Sequence, residues 1–194
     1  MKVYIIRHGE SETNIAKCHT GWLDVKLTEK GENDACSAGK LLNGIKFDKV
    51  YSSDLNRAVS TQKLALPEYD AETTPLLREI NVGDLSGEPF AVSIKKYGEA
   101  YNTNTQIGNY SYFNGENVSD FEKRIKEFFT MLENKDYENV AVFCHSGTVR
   151  STLNVLLNSQ IPLKNLACDN GSIAVFEYTN GIWKLNKWNY SDKL

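Results

Sequence analysis

Short β-branched runs alternate with amphipathic segments along this chain, and few folds accommodate that rhythm. Residues 2–6 (KVYII), 47–51 (FDKVY) and 139–143 (NVAVF) each read as a buried strand. Residues 28–43 read as a helix with Ala35, Ala38, Leu41 and Leu42 on one face and Gly44 just beyond. Residues 54–66 read as a second helix, with Asp54 as N-cap and Pro67 after its end. Residues 118–134 carry an apolar stripe (Val118, Phe121, Ile125, Phe128, Leu132), and Ser119 with Glu122 has the form of a capping box. A helix over 146–157 follows the third strand. Residues 173–178 and 182–188 are joined through Asn180-Gly181, a type I′ hairpin signal. The expected fold class is α/β, a three-layer α/β/α arrangement of a mostly parallel sheet with an antiparallel C-terminal edge.

The length of 194 residues fits one domain over 1–194. Residues 88–116 interrupt the rhythm. They are rich in Asn, Gly and Tyr and are expected to form an insertion or lid over a site. Its tyrosines, Tyr97, Tyr101, Tyr110 and Tyr112, fit either a small core of the lid or stacking on an aromatic leaving group. The apolar run at the N-terminus is too short for a signal peptide or a membrane span, so a cytoplasmic location with no membrane partner is expected. The four Cys (18, 36, 144 and 168) contain no CxxC pair and are expected to be buried free thiols. A net charge of −3 disfavours nucleic acid as a partner.

The chain has five Arg and three His, few enough to read singly. In parallel sheets ligands bind beyond the carboxyl ends of the strands. The first strand runs into Arg7-His8-Gly9-Glu10, the second into Ser52-Ser53-Asp54 and then Arg57, the third into Cys144-His145-Ser146-Gly147. Neutral imidazole is a nucleophile, and Arg matches phosphate bidentately. Gly9 lets backbone approach a ligand, with its N–H free to donate. This set suits in-line phosphoryl transfer better than metal binding. The residues alone leave open which histidine attacks. Glu79, in a short apolar segment before Gly83 and Gly87, is the candidate acid for the leaving oxygen; an exposed Glu79 paired with Arg78 is the competing reading. Cys144 and His145 are adjacent strand residues facing opposite ways, which argues against a Cys–His dyad.

These motifs, in order, resemble the histidine phosphatase superfamily, whose fold is phosphoglycerate mutase-like. The resemblance rests on Arg7-His8-Gly9-Glu10-Ser11, Asn14, Gly21-Trp22-Leu23-Asp24 with Leu27-Thr28 and Gly31, Ser52-Ser53-Asp54-Leu55 with Arg57-Ala58 and Thr61, Leu77-Arg78-Glu79, Gly115-Glu116, and His145-Ser146-Gly147 with Arg150. It implies that His8 becomes the phosphohistidine, that Arg7, Arg57 and His145 hold the phosphoryl oxygens, and that Glu79 is proton donor and then base. It also implies phosphate or substrate contacts from Asn14, Thr20, Gly21 and Ser146, no metal, and a small phosphorylated substrate.

The family contains phosphatases, such as α-ribazole and broad-specificity phosphatases, and mutases primed by 2,3-bisphosphoglycerate. Mutases carry a longer insertion with adjacent arginines. Here residues 88–116 contain no Arg, only Lys95 and Lys96, expected on a solvated helix face. The phosphatase branch, without cofactor, is therefore favoured; a mutase and a non-catalytic phospho-ligand module are the alternatives. The sequence departs from the usual Gly-Gly after the second His with Ser146-Gly147, and from a common Gln with Thr20. His19 is expected as a surface or loop residue, Arg150 as a structural ion-pair partner, and Trp22 and Asp24 as locks on the loop after the first strand.

Overall fold

The computed structural model describes residues 1–192. Its sheet is built from β1 (Lys2–Arg7), β2 (Lys49–Ser53), β3 (Glu72–Thr74), β4 (Asn139–Cys144), β5 (Ile173–Thr179) and β6 (Ile182–Tyr190). The strand order is β3-β2-β4-β1-β5-β6. The pairs β1–β4, β2–β4 and β2–β3 are parallel, while β1–β5 and β5–β6 are antiparallel. This is the mostly parallel sheet with an antiparallel edge that the sequence rhythm predicts. The hairpin turn has Asn180 and Gly181 both at positive φ, as a type I′ turn requires. Strand β3 has no sequence signal: its three residues, ETT, are polar and lie at the sheet edge.

A single helical turn, α1 (Glu12–Ile15), follows β1. Both sheet faces are covered, which explains why the strands read as continuous apolar runs. Val3 and Ile5 of β1 and Val140 and Val142 of β4 pack against Phe121, Ile125, Phe128 and Leu132 of α6 (Val118–Glu133) and Val149 and Leu153 of α7 (Ser146–Leu157). Their alternates Ile6, Ala141 and Phe143 pack on Ala38 and Leu42 of α2 (Glu29–Leu42) and Ala65 of α3 (Asn56–Ala65). Thr28 caps α2 by accepting from the Gly31 N–H. Two expected caps are not used. Helix α3 begins after Leu55, and Asp54 instead pairs with Arg78 at 2.6 Å. Helix α6 is capped by Asn117, which accepts from the Asp120 N–H; Ser119 lies inside the helix, so the Ser119–Glu122 box does not form.

Residues 88–116 hold two short helices, α4 (Phe90–Tyr97) and α5 (Glu99–Gln106), and a 3₁₀ turn at Ser111–Phe113. Tyr97, Tyr101 and Tyr110 pack around Phe113, Val82 and Leu85, so they form a small core under the insertion. Tyr112 stays exposed. All four cysteines are free, but only Cys144 and Cys168 are buried; Cys18 is half-buried and Cys36 exposed, because Cys36 falls on the solvent side of α2. Among the described residues no helix is long and apolar enough to cross a membrane.

Candidate active site

Strands β1, β2 and β4 are neighbours, so the residues following each of them meet at one sheet edge. His8 and His145 stand there with ring centroids 5.2 Å apart. His8 is buried, and its Nδ1 lies 2.7 Å from the Gly9 carbonyl oxygen. A carbonyl only accepts, so Nδ1 carries the proton and Nε2 keeps its lone pair. Burial, then the charges of Arg57 and Arg7, push the His8 pKa well below its ordinary value. The ring is neutral at physiological pH. His145 is shifted the same way by burial, Arg57 and His8. Its Nε2 lies 2.9 Å from the Ser53 hydroxyl at the end of β2.

The two guanidiniums are fixed by backbone. Arg57, fully buried on the first turn of α3, donates to the Gly21 and Leu23 carbonyls at 2.8 and 2.9 Å. Burial lowers its pKa to about 10, so it remains charged. Arg7 at the end of β1 donates to the Cys168 carbonyl at 2.5 Å. Among the described residues four buried side-chain polar atoms have no hydrogen-bond partner; three are here, Arg7 Nε, Arg57 Nε and His145 Nδ1. A buried polar atom without a partner is costly, so three in one place, two of them guanidinium donors, mark a site for a ligand that offers acceptors.

Glu79 completes the cluster. Its oxygens accept from the Ile80 N–H at 2.9 Å and from the Gly147 N–H, on the first turn of α7, at 3.0 Å. A Cβ on Gly147 would lie 2.0 Å from the carboxylate, so glycine here is what lets Glu79 occupy this seat. Glu79 does not pair with Arg78, whose guanidinium is engaged by Asp54. The Trp22 indole N–H donates to the Glu79 carbonyl, and Asp24 accepts from the Asn56 N–H, so both residues lock the loop after β1 as expected.

Asn14, Thr20, Gly21 and Ser146 also line the cavity over the cluster, a volume of about 800 Å³. The Asn14 side-chain oxygen is held by the Ser11 and Asn170 side of the loop, and Thr20 shares a 2.7 Å hydrogen bond with Thr13. Three expectations are corrected. The Gly9 N–H donates to Thr61, and a Cβ on Gly9 would meet the Gly31 carbonyl at 2.0 Å; the glycine is required by another stretch of backbone. His19 lies in a loop but not at the surface: it is buried, wedged edge-on against Phe90 and hydrogen-bonded to Tyr101 at 3.2 Å. Among the described residues Arg150 pairs with no carboxylate; its Nε donates to the Leu166 carbonyl and the side chain lines the cavity.

Two supporting roles escaped the sequence reading, that of Ser53, which it names only within a motif, and that of Arg124. Ser53 orients His145. Arg124, from α6, donates to the Leu76, Arg78 and Glu79 carbonyls and pairs with Glu116, which holds the Glu79 segment in place. The scarcity of arginine was a usable signal for Arg124. Among the described residues no three His, Cys, Asp or Glu side chains are grouped to hold a metal ion.

The fold and cluster define an α/β protein with paired histidines and arginines at the carboxyl edge of a parallel sheet. The pattern of the histidine phosphatase superfamily (branch 1) matches residues 3–191, and the chain belongs to that family. A 2,3-bisphosphoglycerate-dependent phosphoglycerate mutase of Bacteroides fragilis is 45% identical over 105 residues, 50% of this chain and 42% of that protein. The match therefore spans less than half the length of that relative. Phosphoglycerate mutase 1 of Saccharomyces cerevisiae is 42% identical over a similar share. Over nearly the whole chain the fold is similar to the alpha-ribazole phosphatase of Shigella flexneri, with TM-score 0.88, 24% identity, and coverage of 98% of this chain and 96% of that one. A mycobacterial glucosyl-3-phosphoglycerate phosphatase gives TM-score 0.88 at 23% identity, covering 98% of this chain and 99% of that one.

Proposed function

We propose that the protein is a phosphomonoesterase that hydrolyses a small phosphorylated metabolite through a phosphohistidine on His8. The observation that carries this reading is the convergence of three unpartnered buried donors, Arg7 Nε, Arg57 Nε and His145 Nδ1, around a neutral His8. They answer the three non-bridging oxygens of one phosphoryl group. With Ser53 donating to Nε2, His145 carries its proton on Nδ1 and offers it to the phosphoryl group.

The reaction runs in two steps. His8 Nε2 attacks phosphorus, the ester P–O bond breaks, and the leaving oxygen takes a proton from the Glu79 carboxylic acid. Water then attacks the phosphohistidine. Glu79 takes its proton, the N–P bond breaks, and inorganic phosphate leaves. Backbone N–H groups on both Glu79 oxygens fix the orientation of the carboxyl group for both transfers. Asn14, Thr20, Gly21 and Ser146 border the phosphoryl position. No step calls for a metal or cofactor.

Hydrolysis of p-nitrophenyl phosphate at mildly acidic pH tests the reading. His8→Ala is expected to lower kcat/KM by ~10³-fold or more; equal release of nitrophenol by both proteins overturns it. The mutase relatives favour a second reading, phosphoglycerate interconversion primed by a bisphosphoglycerate. Against it, Lys96 pairs with Glu88, and neither Lys95 nor Lys96 lines the cavity. A primer-stimulated mutase rate well above hydrolysis would reverse the preference. A non-catalytic phospho-ligand module would bind phosphate without turning over any ester.

A further inference from the structure

The cavity of about 800 Å³ is far larger than a phosphoryl group, so its outer part faces the leaving group. Two opposite charges there are used by nothing else. Helix α6 leads into β4 and α7 leaves it; both cover the same sheet face and pack side by side. The two helices therefore run in the same direction, with their N-terminal ends at the site edge. Glu122 is the fifth residue of α6 and Arg150 the fifth of α7, so each sits roughly 6 Å along its helix from the start. Both line the cavity.

Among the described residues neither charge has an ion-pair partner. Glu122 makes no hydrogen bond or ion pair among the described residues, and burial raises its pKa. The expected use of Glu122 in a capping box has gone to Asn117. The Arg150 guanidinium is steadied through Nε by the Leu166 carbonyl at 2.8 Å, and its two Nη groups make no hydrogen bond among the described residues. Asn154, one turn on, bonds both backbone groups of Ile161 and so pins the loop that brings Lys164 to the rim on the Arg150 side. Arg150 also lies close enough to Arg7 for its charge to disfavour the Arg7 cation. The phosphoryl position, a cation and an anion are thus bracketed in one cavity.

We propose that the leaving group carries both a carboxylate and an ammonium, as in an O-phosphorylated amino acid, with Arg150 taking the carboxylate and Glu122 the ammonium. A ligand with one charge leaves the other side chain unmatched, and a zwitterion satisfies both. This inference rests on the phosphatase reading for its chemistry, but its test reads binding alone. Calorimetric titration of the His8→Ala protein compares O-phospho-L-serine with phosphoglycolate, which lacks the ammonium, with O-phosphoethanolamine, which lacks the carboxylate, and with inorganic phosphate. O-phospho-L-serine is expected to bind at least ~10-fold tighter than either one-sided ester. Adding Glu122→Gln should bring its affinity down to that of phosphoglycolate. Adding Arg150→Gln should bring it down to that of O-phosphoethanolamine, and Arg150→Lys should restore part of the loss. Equal binding of O-phospho-L-serine and a one-sided ester, an unchanged ranking in both Gln variants, or no binding of any ligand overturns the proposal. Failure of the wild type to release nitrophenol would remove the phosphatase reading and leave the ranking of affinities as it stands.

Discussion

The inner and outer ends of the cavity differ in how their side chains are held. At the inner end His8, Arg57 and His145 are 4%, 0% and 0% exposed; the two histidines directly follow β1 and β4, and Arg57 lies on the first turn of the helix after β2. Their contacts are largely with backbone or a strand-end hydroxyl: the Gly9, Gly21 and Leu23 carbonyls and Ser53. At the outer end Phe90 and Ile107 of the insertion are 42% and 64% exposed. That region is tied down by the His19–Tyr101 hydrogen bond and the small cluster of Val82, Leu85 and Phe113. The contrast separates two jobs. Groups that need fixed geometry are anchored to the sheet, where a side chain cannot move without breaking backbone order. Groups that select a leaving group sit on helices and loops that tolerate change.

This comparison can be broken from either side. Gly147→Ala gives the largest expected effect after His8→Ala itself. The new Cβ falls where the Glu79 carboxylate lies, so kcat/KM should fall about 100-fold through loss of general acid–base catalysis. Steady-state kinetics on p-nitrophenyl phosphate check it; wild-type activity would show that Glu79 need not be held there. A second test addresses burial at the inner end. His8 and His145 have folded pKa values below the ordinary one of ~6.5, so below that pH the unfolded chain binds more protons. Their contribution is fully present above ~pH 6.5 and is lost as pH falls toward the folded values. Thermal denaturation at about pH 7.5 and about pH 5 should give a lower Tm at the acid end. A Tm unchanged or raised in acid would contradict neutral burial of the pair.

The smallest effect is expected from the outer end. Tyr101→Phe removes the hydroxyl that bonds His19 Nε2, worth about 1 kcal/mol. Hydrogen exchange should quicken across residues 99–106, while kcat/KM changes by less than about threefold. A larger loss of activity than Gly147→Ala causes would place the insertion among the parts that need fixed geometry, and the division between the two ends would fail.

The parallel sheet, the hairpin and the principal helices were legible because each rests on a local signal: β-branched runs, a helical stripe, an Asn-Gly turn. The site was partly legible for a topological reason, since residues after parallel strands converge wherever the chain places them. The errors arose where several local partners compete. Asp54 could cap α3 or pair with Arg78, and the ion pair prevailed. Asn117 pre-empted the box drawn from Ser119 and Glu122. His19 looked solvent-exposed because its cover, Phe90 and Tyr101, comes from the insertion some seventy to eighty residues on.

By itself the sequence determined the α/β class, the strand ends that carry Arg7, His8, Arg57 and His145, and the family motifs around them. These depend on residue type and order, which local physics and a chain-wide pattern can read. Tertiary structure decided the tautomer of His8, the unpartnered polar atoms, the seat of Glu79 on the Gly147 N–H, and the placement of Glu122 and Arg150 on the lining of one cavity. Each depends on which atom of one segment lies against which atom of another, and spacing along a chain does not encode that distance.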